Sequence, residues 1–413
     1  MAENLLQVKA SAGDLAGSPG IREALQWFTR EKQWVNEMHL QVCRIAAPTF
    51  MEQERAEWMS STLRGLGWHT SIDRAGNVLA ALEPNPQGLL IAITAHLDTV
   101  LAPRSKEDIS VDRDGDFRGP GISDNGAGLA ALLGIAKALR SVPRPEGFWG
   151  RLLLVANVGE EGEGNLRGMR HLCSQPALMA RMRAMLVLDG AALDRITTQA
   201  LGSRRFEVTF SGAGGHSWSD YGAGNPVHAL ARAMAAFVDT RAPDPRAVPK
   251  VSINVGILEG GTGINAIPAG ARAKVDIRSE SNELMEEQIT ALRIAVLKAE
   301  DVENVRALGG SRVTAKIREI GNRPAARLPE SATLLAAVRA ADAHLGIRAR
   351  LDCSSTDANI PLSMGMEALS IGAGGQGGGA HTTSEWYNPD GRDLGLKRIL
   401  LTAAMMLRES EEV

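Results

Sequence analysis

Apolar and polar positions change rhythm several times along the 413-residue chain, and the changes predict its elements. Residues 1–20 are small and polar and predict a loose arm, whereas 21–66 carry apolar positions at helical spacing. Two short segments, 68–73 and 77–82, flank Arg74, Ala75 and Gly76 and predict a hairpin. Continuous apolar runs at 89–94, 152–158 and 184–188 read as buried strands. Helical segments alternate with them, which predicts a doubly wound α/β layer structure with a mixed sheet.

At about Ser203 the pattern changes. Phe206, Val208 and Phe210 alternate as a strand, and Pro226 opens a helix that carries Leu230, Met234, Phe237 and Val238 on one side. Strands follow at 251–257 and 271–277, then a helix from Ser281 to about Lys298, and Val313, Ala315 and Ile317 alternate in a last strand. The order βαββαβ predicts an α+β ferredoxin-like module over 203–321, inserted into a larger domain made of 1–202 and 322–413. Beyond Asn322 the α/β pattern resumes, with a helix over 331–344, a strand over 368–371 and a final helix to about Arg408.

Composition narrows the possible partners. With 45 basic and 48 acidic residues, no field exists to attract nucleic acid or an anionic membrane, so a small-molecule or short-peptide partner is expected. No apolar run approaches the roughly 18 residues of a spanning helix, and the opening residues lack a basic start followed by an apolar core. Both points predict a cytoplasmic protein. Cys43, Cys173 and Cys353 show no CxxC spacing, which argues against a disulfide framework or a thiolate zinc site, and Cys353 reads as a buried, inert thiol.

Five residues of metal-ligand type, His96, Asp124, Glu161, Asp189 and His381, are dispersed along the chain, most of them at or just past an apolar run. Open α/β sheets carry their chemistry at the carboxyl ends of strands, so such residues imply a shared crevice. His96 and Asp98 lie two apart on an extended segment and project to one side, where Asp98 could receive the second ring N–H of a metal-bound imidazole. Asp124, in GPGISDNGAG, reads either as a helix cap or as a carboxylate between two cations. Adjacent Glu160 and Glu161 repel each other and resist desolvation, a cost that a cation would remove. Spacing leaves open which of them ligates and which accepts a proton from water. His381 follows the glycine-rich stretch 372–379, which suggests exposed backbone N–H groups or close approach of a ligand. The remaining histidines, His39, His69, His171, His228 and His344, read as structural. The glycine run lacks the GxxxxGK[ST] pattern and precedes no helix start, which argues against a nucleotide site.

In order and spacing, the segments ITAHLDTV, GPGISDNGAG, VGEEGEGNLRG, VLDG, GAGGHSW, GGTGINAIPAGARAKVDIRS and GGAHTTSEW resemble one dinuclear metallopeptidase and deacylase family. Peptidase T, glutamate carboxypeptidase, acetylornithine deacetylase and succinyl-diaminopimelate desuccinylase are among its members. The resemblance implies that His96 and Asp189 hold one divalent ion, Glu161 and His381 a second, and that Asp124 bridges them. Asp98 would support His96, and Glu160 would be the general base. His216 would stabilise the oxyanion, while Asn265, Arg278 and Gly378 would meet the substrate. It further implies a cis Asp124–Asn125 bond, zinc as the default metal with manganese or cobalt possible, and a homodimer formed through the inserted lid and dimerisation domain. One departure is Gly159, where many relatives have an aspartate that is not a ligand. The expected activity is hydrolysis of an amide C–N bond, most simply in a small peptide. Other readings are an N-acyl amino acid deacylase, an aminohydrolase of a non-peptide (aryl) amine, or an inactive metal-binding scaffold.

Overall fold

The computed structural model describes residues 12–140, 148–308 and 310–409. Two compact units form, Met1–Ala200 with Arg327–Val413, and Leu201–Ala326. The second unit is slightly wider than 203–321, because the first and last of its long strands in the chain, Gly202–Ser211 and Thr314–Arg323, overrun those limits.

At the centre of the first unit, strand Leu90–His96 pairs in parallel with Leu152–Asn157 on one side and Met182–Leu188 on the other. Glu367–Ile371 extends this parallel core beside Met182–Leu188. Every residue of Leu90–His96 is buried, as expected of a strand covered on both faces. The predicted hairpin, His69–Ile72 with Val78–Ala81, adds antiparallel to one edge. Two strands not anticipated, Arg195–Ala200 and Arg350–Ser354, complete the other. Helix Gly126–Arg140 is buried at all positions except Lys137 and Arg140, and packs against Lys32–Cys43 and Arg392–Glu409.

The expected loose arm is corrected in part. Residues 12–17 and Pro19–Arg30 are helical, with Leu15, Ile21, Ala24, Trp27 and Phe28 buried on one side and Pro19 at the first turn. Residues 1–11 lie outside the described residues. Cys43 and Cys173 are buried, but Cys353 is only partly so, because its strand lies toward the sheet edge. No helix among the described residues is long and apolar enough to cross a membrane.

The second unit has the βαββαβ order. Its four strands pair antiparallel in the order Val251–Gly260, Gly270–Ser279, Gly202–Ser211, Thr314–Arg323. Helices Pro226–Val238 and Asn282–Arg306 pack on the sheet over a core that includes Phe206, Val208, Phe210, Val275, Ile277 and Leu292. Each helix begins at a capping side chain: Asn225 accepts from Val227 and His228 N–H, and Ser281 from Leu284 N–H.

Candidate metal centre

Strand Leu90–His96 delivers a fully enclosed imidazole. His96 Nδ1 lies 2.9 Å from the backbone oxygen of Asp98, so Nδ1–H donates there and Nε2 faces the centre. Nε2 is 3.1 Å from Asp124 Oδ1 and 3.9 Å from Asp189 Oδ1. The Asp98 carboxylate does less for the ring than expected, since its Oδ1 is 3.7 Å from Nδ1. It accepts instead from the backbone N–H groups of Glu160 and Glu161, both at 2.9 Å, and from the Thr49 hydroxyl at 2.9 Å. Asp98 thus joins the His96 strand to the turn that carries both glutamates.

Asp124 sits on the tight loop ahead of helix Gly126–Arg140, and its bond to Asn125 is cis. Glu385, four positions after His381, holds this loop. Its Oε2 accepts Gly121 N–H, and its Oε1 accepts both Ser123 and Asp124 N–H, all at 2.8 Å. Asn125 links the loop to the neighbouring strand end: Nδ2 donates to Leu188 O at 2.8 Å, and Oδ1 accepts Gly190 N–H at 3.2 Å. Asp189 lies between those two contacts.

With its loop held in this way, Asp124 turns one oxygen to each imidazole. Oδ1 meets His96, and Oδ2 lies 3.2 Å from His381 Nε2, which is itself 2.8 Å from Glu161 Oε1. Three sets of donor atoms converge within 4.8 Å: His96, Asp124 and Asp189; Asp124, Glu161 and His381; and His96, Glu160 and Glu161. Two imidazoles and several carboxylates at such range form a donor set able to hold divalent metal.

The electrostatics point the same way. Burial pushes the Asp189 carboxyl up to about 7, helped by the charge of Asp124. Burial opposes charge on His96, yet Asp124 and Asp98 outweigh it and raise that imidazole well above its usual range. Hydrogen bonds to Asp124 and Glu161 raise His381 to about 10. Burial also works against the Asp98 anion, but His96 and two backbone N–H groups bring it down to about 2. A cluster that draws protons onto its histidines is one in which added positive charge is stabilised, and a cation would supply it.

A cavity of about 350 Å³ opens beside Asp124 and Asp189 and runs along the glycine-rich segment, with Gly378 in its wall. The glycines serve packing more than the expected exposure of N–H groups. A Cβ at Gly372 would lie 2.0 Å from Ala191 O, and one at Gly377 2.3 Å from Ser123 Oγ. Gln376–Gly378 also pairs with Trp386–Asn388 in a small sheet.

The other three expected site residues belong to the second unit. His216 is exposed, and its Nδ1 accepts the Trp218 and Ser219 N–H groups at 3.2 and 3.3 Å. Asn265 O accepts Ser217 N–H at 2.9 Å, and Gly215–His216 pairs with Ala266–Ile267, so the His216 and Asn265 segments lie side by side. Arg278 donates from Nε to Asp276 Oδ2 at 2.6 Å.

Comparison with known proteins agrees with this architecture. Residues 199–304 match the model of the peptidase dimerisation domain, and residues 77–223 that of peptidase family M28. The succinyl-diaminopimelate desuccinylase of Ruegeria pomeroyi is 29% identical over 231 residues, 51% of this chain and 58% of that protein. The cytosol non-specific dipeptidase of Escherichia coli is 23% identical over 309 residues, 66% of this chain and 59% of that protein. The chain thus spans less than two thirds of the length of these curated relatives. Among solved structures, a Staphylococcus aureus tripeptidase matches with a TM-score of 0.72 and 17% identity, covering 92% of this chain and 99% of that one. An aminopeptidase from Bacillus cereus matches with a TM-score of 0.69 and 19% identity, covering 91% of this chain and 99% of that one. The chain is thus similar to peptidase family M28 over residues 77–223 and to the peptidase dimerisation domain over residues 199–304, and the relatives it resembles are peptidases and a desuccinylase.

Proposed function

We propose that the protein is a two-cation hydrolase of amide C–N bonds, acting on small peptides. One observation carries this reading: the two oxygens of Asp124 face different imidazoles, at 3.1 and 3.2 Å, and each imidazole has a further carboxylate beside it, Asp189 or Glu161. His96 and Asp189 would hold one ion, Glu161 and His381 the other, and Asp124 both. Zinc suits the mixed nitrogen and oxygen donors, and the share of carboxylates also admits manganese or cobalt. Such ions supply Lewis acidity, lowering the pKa of water and polarising a carbonyl.

The protein's own groups would do the rest. Glu160 is buried, reaches the His96 and Glu161 donor atoms, and is absent from the set around His381. That leaves it to take a proton from the attacking water and return it to the leaving amine. Because His216 Nδ1 accepts two backbone N–H groups, its Nε2 carries the hydrogen and can donate to a developing oxyanion. Asp276 engages Nε of Arg278 and leaves the terminal nitrogens for a substrate carboxylate. Gly378 would offer its backbone from the cavity wall, and Asn265 would contact substrate beside His216.

The second unit would pair two copies into a homodimer. Its outer strand Val251–Gly260 is largely exposed, with Ile257 and Leu258 uncovered. The desuccinylase relative keeps an N-acyl amino acid substrate as the competing reading. Metal analysis together with a panel of di- and tripeptides, N-acyl amino acids and aryl amides tests both. Release of amino acids from peptides, abolished by chelation and restored by metal, is the expected result. Exclusive turnover of acyl or aryl substrates would displace the peptide reading, and no turnover by the metal-loaded protein would leave the inactive scaffold.

A further inference from the structure

We propose that the cavity beside the candidate metal centre is a specificity pocket for a compact, polar substituent that bears an ammonium group. The inference rests on the amide-hydrolase reading and extends it to substrate class. At about 350 Å³ the cavity is near the lower end of small-molecule sites. Because Asp124 and Asp189 form part of its wall, whatever fills it is attached close to the scissile carbonyl.

The lining excludes a bulky apolar group. Gly190, Ala191 and Ala192 form one wall, and Ile371 is the only large aliphatic side chain. A leucine-like or phenylalanine-like substituent would leave water and gain little contact in return. Thr197, Ser354, Thr356 and Ser370 add hydroxyls, which can solvate a polar chain but cannot replace packing.

Charge sets the sign. Apart from Asp124 and Asp189, the charged lining groups are Asp194, Arg195 and Asp352. Arg195 stands between the two acids, its Nε 3.8 Å from Asp194 Oδ2 and its Nη1 3.7 Å from Asp352 Oδ2. These are ion-pair distances beyond hydrogen-bond range, so the carboxylates keep acceptor capacity on that side. Two acids against one base leave a negative excess. Asp352 carries most of the discrimination, because its side chain is 29% exposed while those of Asp194 and Arg195 are 56% and 57% exposed and well screened. An entering ammonium would gain a second carboxylate contact; an entering carboxylate would meet an arginine already shared and two like charges.

The test uses the metal-loaded full chain and matched dipeptides with the varied residue at either position: a basic residue (2,4-diaminobutyrate, ornithine or lysine), serine, leucine or glutamate. At one of the two positions a basic residue should exceed glutamate in kcat/KM by about tenfold or more, with leucine also disfavoured. Asp352→Asn should bring the basic-to-glutamate ratio toward one. Preference for glutamate that Arg195→Ala removes, or no discrimination at either position, would overturn the proposal. Should no amide be cleaved, the hydrolase reading fails separately, and calorimetry with 1,5-diaminopentane and glutarate decides the pocket. Diamine binding weakened by Asp352→Asn supports it; binding of glutarate alone, or of neither, overturns it.

Discussion

The Glu385 carboxylate accepts the backbone N–H of Asp124 at 2.8 Å, an acid 261 positions further along the chain holding the residue that faces both imidazoles. The same carboxylate takes the N–H groups of Gly121 and Ser123, so the loop has one buried anion as its common acceptor. Three charge-assisted bonds to one group resist any shift of the Asp124 side chain.

Glu385→Gln should therefore weaken metal binding without touching a ligand. The amide presents an NH2 group to one of the donors that the carboxylate now satisfies. A loss of about 10–100-fold in affinity is expected, measured by competition with a chromophoric chelator. Affinity equal to that of the parent protein would show that the loop holds Asp124 unaided.

The adjacent glutamates should separate by their readouts. Glu160→Gln should keep its metal content and lose about 10²–10⁴-fold in kcat, as for a removed general base. Glu161→Gln should lose metal first, seen by elemental analysis after gel filtration. If Glu160→Gln is the metal-poor variant, the two roles are reversed.

Metal affinity should rise with pH. In the metal-free protein Asp189 is raised to about 7 and His381 to about 10, so both hold protons that binding must expel. Titrations at about pH 6 and about pH 8 should give tighter binding at the higher value, with proton release seen as a buffer-dependent calorimetric enthalpy. Equal affinity at the two values would contradict the protonated resting cluster.

His39 should make folding pH-dependent in its own window. Burial, and then Arg392, hold its pKa well below the ordinary 6.5, with the Ile122 carbonyl opposing. Nδ1 accepts from Arg392 at 2.5 Å while Nε2 donates to Ile122 O at 2.6 Å, a pattern that only the neutral ring satisfies. Below about 6.5 the unfolded chain binds a proton that the native ring refuses, so stability is present above that pH and lost as the pH falls toward the folded value. Melting curves from pH 8 to 5 should slope less in His39→Gln; an unchanged slope would assign the effect elsewhere.

Gly126→Ala should cost about 1–3 kcal/mol, measured by denaturant unfolding. Its Cβ would lie 2.3 Å from Cys43 Sγ, 2.7 Å from Gly121 O and 2.8 Å from His39 Nε2. A neutral effect would mean that helix Lys32–Cys43 can yield.

The central strands were legible because burial on both faces writes itself as an unbroken apolar run, and His96 and Asp189 follow from where those runs stop. The polar strands Arg195–Ala200 and Arg350–Ser354, toward one side of the sheet, carry no such run, and no period betrays them. Strands as short as Phe117–Arg118 and Trp386–Asn388 exist because they pair with each other and with the equally short Ser110–Val111 and Gln376–Gly378. Glu385 was hidden for a related reason. Its partners are backbone N–H groups of a distant loop, which no side-chain spacing records. Asp98 illustrates a finer limit: its proximity to His96 could be read, but its bonds to the Glu160 and Glu161 amides depend on how two neighbouring strand ends meet.

The close packing at Gly372 and Gly377 has a consequence for descent. A Cβ at Gly372 would run into two backbone carbonyls, and one at Gly377 would have to displace the Ser123 hydroxyl, so both positions resist substitution. Changes of substrate preference in the lineage would have to be written at other lining positions, Asp194, Arg195 and Asp352 among them, while the hydrolytic centre stays as it is. Divergence within such a family would then be lopsided, rapid at the charged lining positions and still at these two glycines.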